Sequence, residues 1–241
     1  MRRSLFIIAL ILSGLMLMNV SCKKKKKTVE DPNWTNSYPT PGSGGTLPAS
    51  ILPASLVDSV TAYFNIYTGE SPVVFMGEFV SHPHILLKST IPGESAGTQF
   101  SDRYIAFDRH GDKIDFFGKQ WSNDDDEYIV ETNRNLYVIG TGENFSCYYL
   151  TEGYPNGMYA KFSTIFSGKW NASYNGLKDF QVAVIMLETS DNPHLAPVGS
   201  FRVLGDGDGL AQDTAWISGS KGAFFNESVT DYDPFSIFRV K

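Results

Sequence analysis

The sequence predicts a mainly β fold: a single antiparallel β-barrel or two-sheet sandwich of about ten strands, with one amino-terminal helix. Three observations lead there. Beyond Pro72 the chain runs in short stretches rich in Val, Ile, Phe and Tyr, separated by Gly, Asn, Asp and Pro, which is the pattern of strands and tight turns. The connections are too short for crossover helices, so successive strands pair as antiparallel meanders. A strand count near ten with few helices favours closure or two stacked sheets, because both shelter exposed edges.

The chain has 241 residues and divides by composition. Residues 1–21 carry Arg2 and Arg3, then an uncharged apolar run from Leu5 to Val20, then Ser21. These 16 apolar positions are short for a membrane span, which needs about 20, and suit the core of an export signal. Residues 22–50 begin with Cys22 and Lys23 to Lys27, then hold Pro32, Pro39, Pro41, Pro48 and Gly42-Ser-Gly-Gly45, which predicts a flexible linker. Residues 51–241 suffice for one β-domain with a sizeable core.

Within that domain the first element is the helix. Ser55 is placed to cap it, Leu56, Val60, Tyr63, Phe64 and Tyr67 fall near one face, and Gly69 ends it; such a helix is expected to cover an open end of the sheet. Strands are expected at 73–80, 84–90, 103–108, 113–118, 127–131, 136–140, 145–150, 158–166, 180–187, 199–204 and 235–240. Residues 108–112, 131–135, 141–144 and 154–157 read as hairpin connections. Phe180 to Leu187 is apolar on nearly both faces and is expected at the centre of the sheet.

Charge narrows the partners. Of 20 Lys and Arg, seven lie in the first 27 residues; the remaining thirteen face 26 Asp and Glu, a balance of −13. Such a body is not expected to bind nucleic acid, which needs clustered cations. Cys147 sits among alternating bulky residues and reads as a buried thiol.

Met18-Asn19-Val20-Ser21-Cys22 resembles the lipobox of bacterial lipoproteins, with Asn19 where that motif usually has an aliphatic residue. The resemblance implies that Cys22 carries diacylglycerol and an acylated amine, and that the chain is held in the outer membrane of a Gram-negative envelope, its face left open. Several acyl chains anchor durably, and the five lysines would add attraction to an anionic leaflet. Gly168-Lys169-Trp170 resembles the Gly-x-Trp signature of lipocalin-like barrels, which in that family lies on the first strand, whereas several predicted strands precede it here.

Candidate chemistry is sparse. Gly93-Glu94-Ser95-Ala96-Gly97 resembles the nucleophile elbow of carboxylesterases, for which His110 or His194 would be the base, but the elbow needs a strand before it and a helix after it. Gly205-Asp-Gly-Asp-Gly209 with Asp213 is out of register with a twelve-residue calcium loop and reads as a glycine-rich turn with solvated carboxylates, the alternative being an irregular calcium site on Asp206, Asp208 and Asp213. His82-Pro83-His84 places two imidazoles on one side of a strand without a third ligand, and Asp124 to Glu127 reads as a solvent loop. Asp58-Ser59-Val60 and Asp213-Thr214-Ala215 resemble acceptor sites of bacterial periplasmic O-glycosylation at Ser59 and Thr214. No cofactor is called for. The expectation is a lipid-anchored, non-catalytic binding or interaction domain for a small apolar ligand, a glycan or an envelope protein; the alternatives are an envelope esterase or glycosidase, and a purely structural surface lipoprotein.

Overall fold

A computed structural model describes residues 34–215 apart from 124, 125 and 191. The leader, Cys22, the five lysines, Trp216 and the strand expected at 235–240 lie outside the described residues. Thirteen strands form one hydrogen-bonded sheet: β1 (Trp34–Ser37), β2 (Glu70–Pro72), β3 (Met76–Ser81), β4 (His84–Ser89), β5 (Gln99–Phe100), β6 (Arg103–His110), β7 (Lys113–Ser122), β8 (Glu127–Gly142), β9 (Asn144–Gly153), β10 (Ala160–Trp170), β11 (Gly176–Thr189), β12 (Phe201–Asp206) and β13 (Leu210–Asp213). The fold is mainly β, as the pattern predicts. β2 runs parallel to β8, and the other pairs are antiparallel.

The pairing closes on itself. β3 pairs β6, each strand from β6 to β10 pairs the next, β11 meets β12 and β13, and β13 returns to β3. β3 and β4 are one bent line of chain beside a second bent line, β12 and β13. Val80 stands opposite Gln212 on one side of the bend, and His84 opposite Asp206 on the other. Eight lines of chain therefore close into a barrel-like ring in sequence order. The closure is not regular, since β4 takes β5 on its outer edge, and β9 pairs β8 only from Tyr148 back to Asn144 before taking β1 beyond it.

The hairpins at 108–112, 141–144 and 154–157 connect strands as expected. Residues 131–135 do not turn. They run inside β8, where the register with β7 shifts between Ile114 and Phe116, and Asn135 takes a left-handed conformation, φ 59°. Asn tolerates that region better than most residues, and the Asp115 carboxylate accepts the Asn135 N–H at 2.8 Å, so a turn-like composition is absorbed as a bulge.

Alternation along β9, β10 and β11 makes two cores. Facing into the ring are Phe145 and Cys147 of β9, Phe162 and Phe166 of β10, and Phe180 and Val182 of β11. Facing outward are Tyr148, Ile165, Ala183 and Ile185. β11 is therefore buried on both faces, with β10 on one edge and β12 and β13 on the other. That is why Phe180 to Leu187 reads as a continuous apolar run. The ring is filled by aromatic side chains: Phe116 and Phe166 lie 4.4 Å apart by ring centroid, Phe75 and Phe145 4.5 Å, Phe107 and Phe116 5.5 Å.

The outward core is covered by the segment before β2. Ile51, Leu52, Val60 and Phe64 pack there, and the Ser163 hydroxyl donates to the Ile51 carbonyl at 2.7 Å. The helix is shorter than expected: α1 is Val57–Thr61, preceded by a 3-10 turn at Ala54–Leu56, and no side chain caps it, Ser55 included. It lies on the outer wall of the ring rather than over an open end, and Tyr63 remains largely exposed. The expected linker also ends earlier than Ser50. β1 pairs β9 from Trp34, and Gly42 to Thr46 closes a turn whose Gly45 carbonyl accepts the Gly69 N–H at 3.0 Å. Gly45 has φ +65°, and a Cβ there would sit 2.0 Å from the Gly69 oxygen, so only glycine permits this crossing.

The outer core gives a direct test. Phe64→Ala is expected to lower stability by about 3–5 kcal/mol, whereas exposed Tyr63→Ala should change it by less than about 1 kcal/mol; urea unfolding of the two variants measures the contrast.

Candidate functional site

Strand connectivity gives the ring two ends. One holds the turns at 110–113 and 142–144. The other, called the mouth here, holds the start of β6, the junctions of β7 with β8 and of β9 with β10, the link from β11 to β12, and Trp34 opposite Gly153. A polar cluster is built into the ring wall at the mouth. Arg103, at the start of β6, is in phase with Ile105 and Phe107 and so points inward. Its Nη2 donates to a Glu131 carboxylate oxygen on β8 at 2.7 Å, and its guanidinium carbon lies 6.0 Å from the centre of the Phe166 ring. The Tyr149 hydroxyl on β9 donates to the other Glu131 oxygen. Between β6 and β8 lies Gly118 of β7. A Cβ there would come 2.7 Å from the Phe116 ring, so glycine makes room for that ring, while Arg103 Nη2 would stand in ordinary contact at 3.5 Å.

Two positions further along β8, Asn133 links the wall to β1. Its side-chain oxygen accepts from Asn36 Nδ2 at 2.6 Å and from the Tyr38 hydroxyl at 3.3 Å, while the Asn36 oxygen accepts from Thr151 at 2.7 Å. Burial is nearly complete: Asn133 is 1% exposed, and the Arg103 and Glu131 side chains are 15% and 10% exposed. Two donors in this cluster have no partner among the described residues, Arg103 Nε and Asn133 Nδ2. An ion pair held this deep pays a desolvation penalty that hydrophobic side chains of similar volume would avoid.

At the bend, Asp206 gathers donors from both bent lines. One carboxylate oxygen accepts the His82 N–H at 2.9 Å; the other accepts the N–H groups of Asp208 at 3.2 Å and Leu210 at 3.1 Å. Burial first, and then the neighbouring Asp208 carboxylate, raise the pKa of Asp206 above the ordinary range; its hydrogen bond to Asp206 lowers that of Asp208. This is the physical role of Gly205-Asp-Gly-Asp-Gly209. The alternative of an irregular calcium site finds no support, because the loop's own amides take the Asp206 oxygens and Asp213 lies exposed on β13 opposite Phe79. Among the described residues no group of three or more His, Cys, Asp and Glu side chains could hold a metal ion.

His82 and His84 do not share a side. His82 is exposed and bonds Asp102 through Nδ1 at 2.6 Å, a contact that raises its pKa. His84 is buried with Nδ1 3.0 Å from the Ser81 hydroxyl, and burial together with the nearby Arg103 charge pushes its pKa down to about 3.

Ser95 is exposed in the connection between β4 and β5. Its carbonyl accepts the Thr98 N–H and hydroxyl at 3.2 and 2.7 Å, and the two-residue β5 follows where an elbow needs a helix. His110 lies in the β6–β7 turn at the end opposite the mouth, and exposed His194 bonds Asn192 through its backbone; among the described residues neither bonds Ser95. Beside Ser95, burial raises the pKa of Glu94, but its bonds to Arg202 and Ser89 outweigh that and lower it, fixing the turn as a structural piece. Cys147 is a buried free thiol whose pKa burial drives up, leaving no thiolate for chemistry. Trp121 is half-buried edge-on to Tyr128, at 5.1 Å. Ser59 is exposed on α1, and Thr214 is half-buried with its N–H on Glu78. Gly168-Lys169-Trp170 ends β10, the sixth line of the ring, where Trp170 stacks on Phe75 at 6.1 Å.

The sequence reading missed the Arg103, Glu131 and Asn133 cluster. Arg103 was detectable, being in phase with two apolar inward positions; Glu131 and Asn133 were hidden by the turn-like composition of 131–135. Comparison with family models, curated proteins and solved structures gives no match.

Two expected outcomes follow from these bonds. Asp206→Ala strands three backbone donors and should cost about 3 kcal/mol, whereas Asp213→Ala should stay within about 0.5 kcal/mol; denaturant midpoints distinguish them. For His84, the folded state resists a proton that the unfolded chain accepts near pH 6.5. Its contribution is therefore present above pH 6.5 and lost as pH falls toward 3. The loss is about 1.4 kcal/mol per pH unit, or about 2 kcal/mol at pH 5. A stability profile over this range should flatten in His84→Gln.

Proposed function

We propose that this chain is a lipid-anchored protein of the Gram-negative cell envelope whose β-ring acts as a non-catalytic binding or interaction module, engaging its partner at the mouth. The observation that carries the location is the leader, where Met18 to Cys22 resembles a lipobox ahead of five lysines. Only eleven residues lie between Cys22 and Trp34, a contour of roughly 40 Å at full extension.

Binding at the mouth, rather than storage of an apolar ligand in the ring, is favoured by the packing. The interior is occupied by phenylalanine rings in contact, so an apolar ligand there would have to displace them. One cluster of polar groups buried in the ring wall, Arg103, Glu131, Tyr149 and Asn133, lies at the mouth. The hydrolase alternative has less support, since Ser95 lies exposed in a turn with neither His110 nor His194 bonded to it.

Labelled palmitate should enter the wild-type chain in a Gram-negative host and be absent from Cys22→Ala; label retained in the variant would sink the anchor. For the binding role, sonicated envelope material added to the full chain should slow amide hydrogen exchange at 103–104, 120–122 and 151–160. Unchanged exchange there would remove the mouth as the site.

A further inference from the structure

We infer that the outer face of β6, β7 and β8 is a docking surface for the chain's own carboxy-terminal segment, which closes it with the apolar side chains of residues 235–240. This goes beyond the binding role and does not depend on it. One row of residues crosses that face: Glu78 on β3 stands opposite Ala106 on β6, Ala106 opposite Phe117 on β7, and Phe117 opposite Thr132 on β8. Glu78, Ala106 and Phe117 alternate with the inward Phe79, Ile105 and Phe116, so the row points outward. Phe117 is nevertheless 3% exposed and Ala106 6%. Neither belongs to the core inside the ring or to the one behind residues 51–64.

The row cannot hide Phe117 by itself. Side chains stand roughly perpendicular to a sheet, and the flanking partners Ala106 and Thr132 are too short to wall in a phenyl ring. The neighbours along β7 are turned elsewhere: the Lys119 ammonium lies 5.5 Å from the Tyr104 ring centre and 4.2 Å from that of Tyr128, and Asp115 accepts the Asn135 N–H at 2.8 Å. A cover must therefore come from above the sheet. Thr132 sets its chemistry, because its Oγ1 is closed to solvent and has no hydrogen-bond partner among the described residues. A polar cover would bond that hydroxyl, whereas an apolar one leaves it unmade.

The carboxy-terminal segment meets both the position and the chemistry. The Thr214 N–H donates to the Glu78 carbonyl at 2.9 Å, so the chain leaves the described residues at one end of this same row. Three strand spacings, about 15 Å, separate Glu78 from Thr132, and the twenty residues between Thr214 and Phe235 can span that several times over. Residues 235–240, Phe-Ser-Ile-Phe-Arg-Val, lie outside the described residues and form the apolar, strand-like run that the sequence places there. Residues 23–33, at the other end of the chain, offer Val29 alone among large aliphatic or aromatic side chains.

The test uses the full chain carrying Cys22→Ser, in which buried Cys147 reports whether the ring is folded. Thr132→Cys in that background should react with N-ethylmaleimide at least tenfold more slowly than Ser59→Cys on the exposed side of α1. Phe235→Ser, Ile237→Ser and Phe238→Ser together should raise its rate at least tenfold while Cys147 stays unlabelled, and Phe224→Ser with Phe225→Ser should not. If the triple change also opens Cys147, the ring has come apart and disulfide pairing decides. Under mild oxidation, Thr132→Cys should pair within one chain with Phe235→Cys, Ile237→Cys or Phe238→Cys at least tenfold faster than with Phe224→Cys. Fast labelling of Thr132→Cys ahead of any change in the segment, slow labelling in the triple variant with Cys147 closed, or opening by the Phe224 and Phe225 changes would each overturn the inference. So would the absence of a preferred disulfide, or one formed between chains, which would make a second copy the cover.

Discussion

The ring depends on the bend that Asp206 holds. Two lines of chain, β3 with β4 and β12 with β13, must change direction at the same place while staying paired, and Pro83 has no N–H to carry the ladder through it. Asp206 supplies an acceptor for neighbouring N–H groups at the bend. It draws in the His82 N–H from one line and two N–H groups from its own, and it is buried enough that water cannot substitute. The seam between the two lines is split by the bend: β4 pairs β12 through five residue pairs on one side, and β13 pairs β3 through two on the other. The glycines around Asp206 give the chain room to fold back on that carboxylate, which is why a motif that looks like a cation loop serves as a corner.

Once closed, the ring divides its work between two faces. Inside, Phe75 and phenylalanines of β6, β7, β9 and β10 pack at tilted and edge-on angles, an arrangement favoured by aromatic quadrupoles. Outside, the wall made by β9, β10 and β11 is covered by residues 51–64. Polar chemistry is thereby pushed to the places where packing stops: the bend, the mouth and the surface turns. The Arg103–Glu131 pair is the exception that crosses into the apolar interior, and its desolvation cost marks it as the part of the wall least explained by stability alone.

How much of this could be read from the residues follows from what each signal reports. Alternation and turn composition report local geometry, so the meander, three of the hairpins and the central place of Phe180 to Leu187 were legible. Residues 131–135 were not, because a bulge and a turn draw on the same polar residues and only the partner strand decides between them. Pro, Gly and Ser over 34–50 reported flexibility, yet β1 gains its order from β9, more than a hundred residues away. The helix signal over 55–67 was genuine for the buried positions Val60 and Phe64, but tertiary packing needed one turn and a half rather than a long rod. The mouth cluster joins β6, β8 and β9, and no spacing rule connects residues so far apart in the chain.

The antiparallel register of β1 on β9 also has a mechanical consequence. The first described residues, Trp34 to Ser37, start at the mouth and lie along Gly153 to Leu150. A pull on the residues ahead of Trp34, directed out of the mouth, runs parallel to both strands. Such a load shears the ladder, straining its hydrogen bonds together, instead of peeling them open one after another. The β1–β9 ladder is thus oriented to resist such a pull in shear.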